Sequence, residues 1–365
     1  MKTILIAHNY SEVSFSAMSY HLAHHLANLG HQVVFISHHP YFSEVQVVKK
    51  GKGKISICSW PTTERPTLIR DFIWYVSIYF KYKPDVIIGL FVGSNISISI
   101  SKVLSFGKVK TFEYYHTLTD QLLADAKKTS IKLKMLFLRK KIFYNLFCDV
   151  IVCPSAMAKK NLEDFYLIDK GQVLLNPIKD RFKNKIAIDK DIITISYLGR
   201  LDPSKGVVDL ISAFTLYKNR FRNSKIILNI AGTGSQEVEI RELIKDNLAI
   251  CYLGGLPYDK IDDYLNKSHF VIIPSKFDNL PTVGLESMMN QTPLLLSDTI
   301  GLASYLTEGK ECFKFAPNVN SMVSLFNKIE NNFNLYEQMS FDARATFLDK
   351  FGMDTYCNAI SNLIK

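Results

Sequence analysis

Asp278 and Glu286 stand eight positions apart in the run Ser275-Lys-Phe-Asp-Asn-Leu-Pro-Thr-Val-Gly-Leu-Glu286, with Pro281 where a loop becomes a helix. An apolar strand, His269 to Ile273, precedes the run, and another, Pro293 to Ser297, follows it. Polar groups at the carboxyl end of a strand are where open α/β sheets bind ligands. A helix N-terminus there offers free N–H groups to an anion. Carboxylates beside it suit the hydroxyls of a sugar or ribose. The same two acids also read as a helix-start charge and a surface Glu, and the sequence leaves both readings open.

A second loop, Gly199-Arg200-Leu-Asp-Pro-Ser-Lys205-Gly206, follows the strand Ile192 to Leu198. Arg200 presents a planar fork and Lys205 a mobile point charge, a pair that can neutralise a diphosphate leaving group without a metal. An ordinary βα loop with two solvated cations is the alternative. Gly232-Thr233-Gly234 is a short glycine turn where backbone can approach a ligand, or where Gly only serves the turn. His116 closes Phe112-Glu113-Tyr114-Tyr115-His116 at the end of a strand in the first half, a place for either a functional or a structural imidazole. The only Asp-x-Asp, Asp189-Lys-Asp191, follows no apolar strand, so no metal site and no cofactor are expected. The six cysteines are scattered and read as reduced core thiols.

These loops need scaffolds. In the second half, strands Ile192–Leu198, Lys225–Ala231, Ile250–Leu253, His269–Ile273 and Pro293–Ser297 alternate with helices at about 207–221, 236–245 and 258–267. The first half shows the strand Thr3–Ala7, a helix at about 16–29 ended by Gly30, and strands at 33–37, 55–58, 86–89, 110–114 and 150–153, with a helix at 69–82. Alternation of this kind means parallel sheet. The expected fold class is α/β with two doubly wound, Rossmann-like domains facing across a cleft. The boundaries are 1–185, joined by a C-terminal helix at about 350–365, and 190–349, with the Lys-rich stretch Asn176 to Lys190 as linker. At 365 residues, two cores are the default.

Net charge is +10, but residues 1–190 hold 27 basic and 14 acidic side chains, whereas 191–365 hold 17 and 20. The +13 half suits an anionic partner. Seven cations lie in Lys127 to Lys141, beside an apolar series Ile131, Met135, Leu138, Ile142, Phe143 and Leu146 at helical spacing. A basic amphipathic helix can lie on an anionic bilayer, or simply solvate its basic face. Nucleic acid also answers to positive charge, but no clustered aromatic–basic recognition motif is evident. Met1 to Ala7 is too short for a signal-peptide core, and no apolar run reaches the roughly 20 residues of a membrane span. The expected location is cytoplasmic, peripheral on the inner face of the plasma membrane.

Four pieces now stand in order: Tyr197-Leu-Gly-Arg-Leu-Asp-Pro-Ser-Lys-Gly206, Ile230-Ala-Gly-Thr-Gly-Ser235, Tyr252-Leu-Gly254, and Ile273 to Glu286. Their order and spacing resemble the retaining nucleotide-sugar glycosyltransferases of family 4, which have the GT-B fold. Ala343-Arg-Ala-Thr-Phe-Leu-Asp-Lys-Phe351 resembles the closing segment of that family, and Leu175-Asn176-Pro177 a part of its first half. The resemblance implies that Arg200 and Lys205 grip the donor diphosphate, that Asp278 touches the donor sugar, and that His116 lies near the reacting centre. It implies a donor-side set of Gly199, Gly232, Gly234, Leu253, Gly254, Leu256, Ser275, Asn279, Leu280, Pro281, Thr282, Val283 and Glu286, the last on the ribose. Ser14, Ser16 and Asn176 would face the acceptor.

Two departures stand out. Asp278 occupies the first place of the E-x7-E pair of the family, and the loop Asn9 to Ser16 has no Gly where the family often has two. The implied reaction moves a sugar from a nucleoside diphosphate, UDP ahead of GDP, to a glycan or polyprenyl-linked acceptor with retention. Bacterial surface polysaccharide or glycoconjugate synthesis is the implied setting. An epimerase or hydrolase on the same architecture, or a non-catalytic nucleotide-sugar or carbohydrate-binding protein, remains open.

Overall fold

The computed structural model of the protein describes residues 1–8, 13–37, 47–62, 66–90, 94–116, 118–119, 122–123, 131–186 and 191–365, with 13–17 described in backbone only. The chain divides into two compact units. Unit 1 is 1–116, 128–179 and 353–365; unit 2 is 117–127 and 180–352.

Unit 1 holds β1 (Thr3–Ala7), α1 (Val13–Asn28), β2 (Gln32–Ser37), β3 (Val47–Lys50), β4 (Gly53–Ser59), α2 (Ile69–Tyr82), β5 (Val86–Gly89), α3 (Asn95–Leu104), β6 (Lys110–Tyr114), α4 (Ile131–Phe147), β7 (Val150–Cys153), α5 (Ala156–Tyr166) and β8 (Gly171–Val173). Its sheet runs β3-β4-β2-β1-β5-β6-β7-β8, parallel except for the edge hairpin β3–β4. Short Val/Ile/Leu runs such as Ile4–Ala7 and Val86–Ile88 are buried on both faces, as parallel strands covered by helices must be.

Unit 2 holds β9 (Ile193–Leu198), α6 (Val207–Arg220), β10 (Ile226–Ala231), α7 (Glu237–Ile244), β11 (Ile250–Tyr252), α8 (Tyr258–Asn266), β12 (Phe270–Ile273), α9 (Thr282–Met289), β13 (Leu294–Ser297), β14 (Cys312–Phe315), α10 (Val319–Asn331) and α11 (Tyr336–Lys350). Its sheet is all parallel in the order β11-β10-β9-β12-β13-β14. From β9 the chain first builds outward on one side, through β10 and β11. It then returns to build the other side from β12. The strand order therefore reverses between β9 and β12, the switch point where such sheets open a crevice at their carboxyl ends. α6 carries Asp209 in its first turn and Lys218 and Arg220 in its last, both matched to the helix dipole.

The last helix, α12 (Met353–Ile364), belongs to unit 1. It packs on α1, and its terminal carbonyls receive Lys2 Nζ at Ile364 (2.6 Å) and Lys110 Nζ at Leu363 (2.6 Å). At the other crossover, Asp180–Ile186 is no free linker. It is strapped onto unit 2 by Arg344 to Asp180, by Lys185 Nζ to Thr292 Oγ1 (2.6 Å), and by the Ile186 N–H to Asn266 Oδ1 (2.8 Å). The boundary of the first unit accordingly falls at Lys179 rather than at 185. Among the described residues no helix is long and apolar enough to cross a membrane.

Candidate functional site

The loops after β9 and β12 are fastened to each other before any side chain is considered. Pro203–Lys205 forms one 3-10 turn, capped by Gly206 at φ +70°. A Cβ at Gly206 would collide with the Pro274 carbonyl, so only glycine allows both the left-handed turn and the close approach. The Lys276 N–H donates to Ser204 O (2.9 Å), and the Tyr197 hydroxyl donates back to Arg200 O (2.6 Å). Lys205 is thereby held on a rigid turn beside the start of α9.

Between these loops lies a cavity of about 380 Å³, lined by Gly199, Arg200 and Lys205 from the first loop and by Ser275, Asp278, Leu280, Pro281, Thr282, Val283 and Glu286 from the second. Lys205 Nζ donates to Asp278 Oδ2 at 2.5 Å, and both side chains are mostly covered. Arg200 Nη1 bonds Asp202 Oδ2 at 2.7 Å while more than half of its side chain stays in solvent. Asp278 is shaped from within its own loop as well, accepting from the Asn279 N–H (3.0 Å). Pro281 precedes α9 as its N-cap residue and supplies no side-chain cap. The first turn of a helix leaves its N–H groups without intrahelical partners, and here Thr282 and Val283 bring that turn to the cavity wall. The wall therefore alternates cation, carboxylate and N–H donors within one small volume.

Glu286 has a partner that carries no sequence signature. Burial pushes its carboxyl above the usual range, and Arg181 offsets only part of that rise. Arg181 Nη2 reaches Glu286 Oε1 at 3.1 Å while Nε and Nη2 clasp Asp262 at 2.8 and 2.9 Å. Asn290 Nδ2 completes the set on Asp262 Oδ1 (3.0 Å), and the guanidinium lies over the Tyr258 ring. Asp262 is held below the ordinary carboxylate range by its hydrogen bonds to Arg181 and Asn290, against a burial effect of opposite sign. Arg181 sits in a Lys-rich stretch that reads as linker, so no motif pointed to it.

Other sequence candidates fall elsewhere. Gly232 (φ +141°) and Gly234 do not line the cavity. A Cβ on Gly232 would collide with Gly199 O, and one on Gly234 would stand 2.5 Å from Leu201 O, so both glycines serve close packing of one loop on the next. Leu253 is half exposed and Gly254 takes φ +72°, its carbonyl receiving the Gly232 N–H; they and Leu256 lie off the cavity wall. Asn279 is buried beside it.

In unit 1, His116 stands past the carboxyl end of β6. Its Nε2–H donates to Leu90 O (3.1 Å), its ring stacks on Tyr114, and burial lowers its pKa to about 4, so it is neutral near pH 7. The Asn176 side-chain oxygen is buried and has no hydrogen-bond partner among the described residues. Ser14 and Ser16 are side chains outside the described residues. No cluster of metal-binding side chains occurs among the described residues.

Comparison with known proteins adds two family models. Residues 16–180 match Glycosyltransferase Family 4, and residues 178–346 match Glycosyl transferases group 1. An uncharacterized glycosyltransferase of Methanocaldococcus jannaschii is 24% identical over 236 residues, which is 60% of either chain. The match thus spans 60% of the length of that relative, less than two thirds. Among solved structures, sucrose-phosphate synthase from Thermosynechococcus elongatus superposes with a TM-score of 0.77 at 14% identity, over 100% of this chain and 98% of the other. Anabaena HepE in complex with UDP-glucose gives 0.70 at 12% identity, over 100% and 99%. At these identities the likeness is one of fold.

Proposed function

The chain is a GT-B protein of the family 4 glycosyltransferase type, and from that premise we propose that it transfers a sugar from a nucleoside diphosphate to an acceptor hydroxyl with retention of anomeric configuration and without a divalent metal. The observation that carries this reading is the shared wall: Arg200, Lys205, Asp278, Glu286 and the start of α9 all line one cavity at the switch point of unit 2. In the reaction the bond from the anomeric carbon to the diphosphate oxygen breaks, and a bond to the acceptor oxygen forms. The acceptor proton passes to the departing phosphate. Negative charge grows on the diphosphate as it leaves. Arg200, Lys205 and the N–H groups of Thr282 and Val283 are fixed donors for that charge, which is where preorganised electrostatics lower a barrier.

Lys205 then has two anions to serve. Its bond to Asp278 holds the ammonium in place when the site is empty of charge, and an arriving phosphate shares or takes it. Asp278, released in part, is free to accept from a sugar hydroxyl. Glu286, steadied by Arg181, accepts from the ribose hydroxyls. UDP is favoured as the donor nucleotide and GDP next, in keeping with the UDP-glucose complex of HepE. The acceptor is a glycan or a polyprenyl-linked sugar, in bacterial surface polysaccharide or glycoconjugate synthesis.

The test is to incubate the purified protein with UDP- and GDP-sugars and candidate saccharide acceptors in the presence of a chelator. The expected result is a glycosylated product whose anomeric proton coupling matches that of the donor. A product of inverted configuration, activity that dies with the chelator, or a nucleotide sugar that is only hydrolysed or epimerised would each overturn the corresponding part of the reading.

A further inference from the structure

Helices α2, α3, α4 and α5 connect β4 to β5 and then β5, β6, β7 and β8 in turn, all stepping the same way across sheet 1. Right-handed crossovers place them on one face. α3 packs on both α2 and α4, while α1 and α12 pack on each other and step the other way or return at the end. The α2–α4 layer leaves large apolar side chains in solvent. On α4, Ile131 (78% exposed), Met135 (65%), Leu138 (59%) and Leu146 (65%) follow one another at helical spacing and make a stripe. On α2, Ile69 (79%) and Ile73 (62%) repeat the pattern one turn apart.

The fold does not require this exposure. α4 is fastened inward by Phe143 and Tyr144, both buried, and its Lys140 faces the buried Glu113. The stripe points away from that anchorage. It is flanked by Lys132, Lys134 and Arg139, all exposed, and α4 contains no Asp or Glu at all. An apolar patch rimmed by charge of one sign marks an interaction surface. A second copy of this chain is a poor occupant. A two-fold contact would set the cations of one α4 against those of the other, with no acid on the helix to answer them. A sheet of phosphates over acyl chains answers both features at once.

We propose that the α2–α4 face of unit 1 lies flat on an anionic phospholipid bilayer. The stripe of α4 and the exposed isoleucines of α2 enter the headgroup–acyl boundary, and Lys132, Lys134 and Arg139 sit on lipid phosphates. The inference is independent of the sugar-transfer reading, because it rests on unit 1 and its readout is binding.

The experiment is sedimentation of the full chain with vesicles of equal parts phosphatidylglycerol and phosphatidylcholine, against pure phosphatidylcholine. Partition into anionic vesicles is expected to exceed partition into neutral ones by about tenfold or more, and to fall steeply as salt rises from about 0.1 to 0.5 M. Met135→Glu with Leu138→Glu should lose about tenfold in partition. Both side chains are exposed, so the melting temperature should stay unchanged. A wild-type chain that stays in the supernatant with anionic vesicles overturns the proposal. So does a folded double variant that pellets like wild type, or a wild-type dimer in solution that the same variant disperses.

Discussion

At the carboxyl end of β9 in unit 2, each cation has a carboxylate beside it: Arg200 on Asp202 at 2.7 Å, Lys205 on Asp278 at 2.5 Å, and nearby Arg181 on Asp262 and Glu286. On α4 of unit 1, Lys132, Lys134, Arg139 and Lys141 share a helix that has no acid. The difference is one of purpose. A paired charge is fixed in direction and gives up its partner only to a stronger anion, which suits a site that must be accurate and selective. A field of cations with no acid on their own helix has no preferred geometry but attracts a polyanionic surface over about a Debye length. The net charges of the two halves, +13 and −3, are the sequence-level trace of this division.

The comparison breaks first, and with the largest effect, at the paired cations. Arg200→Ala and Lys205→Ala are each expected to lower kcat by about a hundredfold or more, because each removes a donor facing growing charge. Steady-state turnover of a donor sugar reads this, and near wild-type rates in both variants would leave the pairs with no catalytic meaning. Next comes the loop packing beneath them. Gly232→Ala is expected to cost about 1–3 kcal/mol of stability, the usual range for strain at a disallowed backbone angle, and urea unfolding measures it. A neutral result would mean that the Gly232 turn is looser than its contact with Gly199 requires.

Arg181→Ala sharpens the comparison, since it leaves Glu286 buried without its cation. About 1–3 kcal/mol of destabilisation is expected from the unpaired carboxylate, with weaker nucleotide binding in the same variant. Loss of stability with unchanged nucleotide affinity would confine Arg181 to a structural role.

The smallest effect is expected at His116. Its folded pKa of about 4 lies below the ordinary 6.5, so below pH 6.5 the unfolded chain takes up a proton that the folded ring refuses. The stability that His116 contributes is therefore present near pH 7, falls as pH drops from about 6.5 to about 4, and levels off below that. Melting temperatures of the wild type and His116→Gln at pH 7.5 and pH 5 test it: the wild type should lose more on acidification. Equal losses would mean that the ring is protonated in place.

The parallel strands were legible because burial on both faces demands short runs of Val, Ile and Leu, as in Ile193–Leu198 and Phe270–Ile273. The loops after them were legible because Gly206 and Pro281 punctuate strand–loop–helix units. Elements set by less regular forces were not. β3 is an exposed antiparallel edge, Val47–Lys50, with two lysines in four residues, and β14 is Cys312–Phe315 with Lys314 inside it. α3 alternates Ile and Ser like a strand, yet it folds as a helix that buries Ser97 and Ser101, the latter bonded to the Tyr75 hydroxyl at 2.8 Å. The apolar spacing of α4 was visible, but not which way it faced: of the six residues in that series only Phe143 turns inward. Arg181 was invisible for a simpler reason. Its partners lie 81 and 105 residues away, and only folding brings them together.

The central claim is that the cavity between β9 and β12 holds a nucleoside diphosphate by Arg200, Lys205 and the N–H groups at the start of α9, with no metal. Calorimetric titration of UDP and GDP into the wild type and Lys205→Met, with a chelator present, tests it directly. Binding of at least one nucleotide to the wild type and at least a tenfold loss in the variant, about 1.4 kcal/mol, is the predicted outcome. Binding that appears only with added divalent metal, or that is equally tight without Lys205, would contradict it.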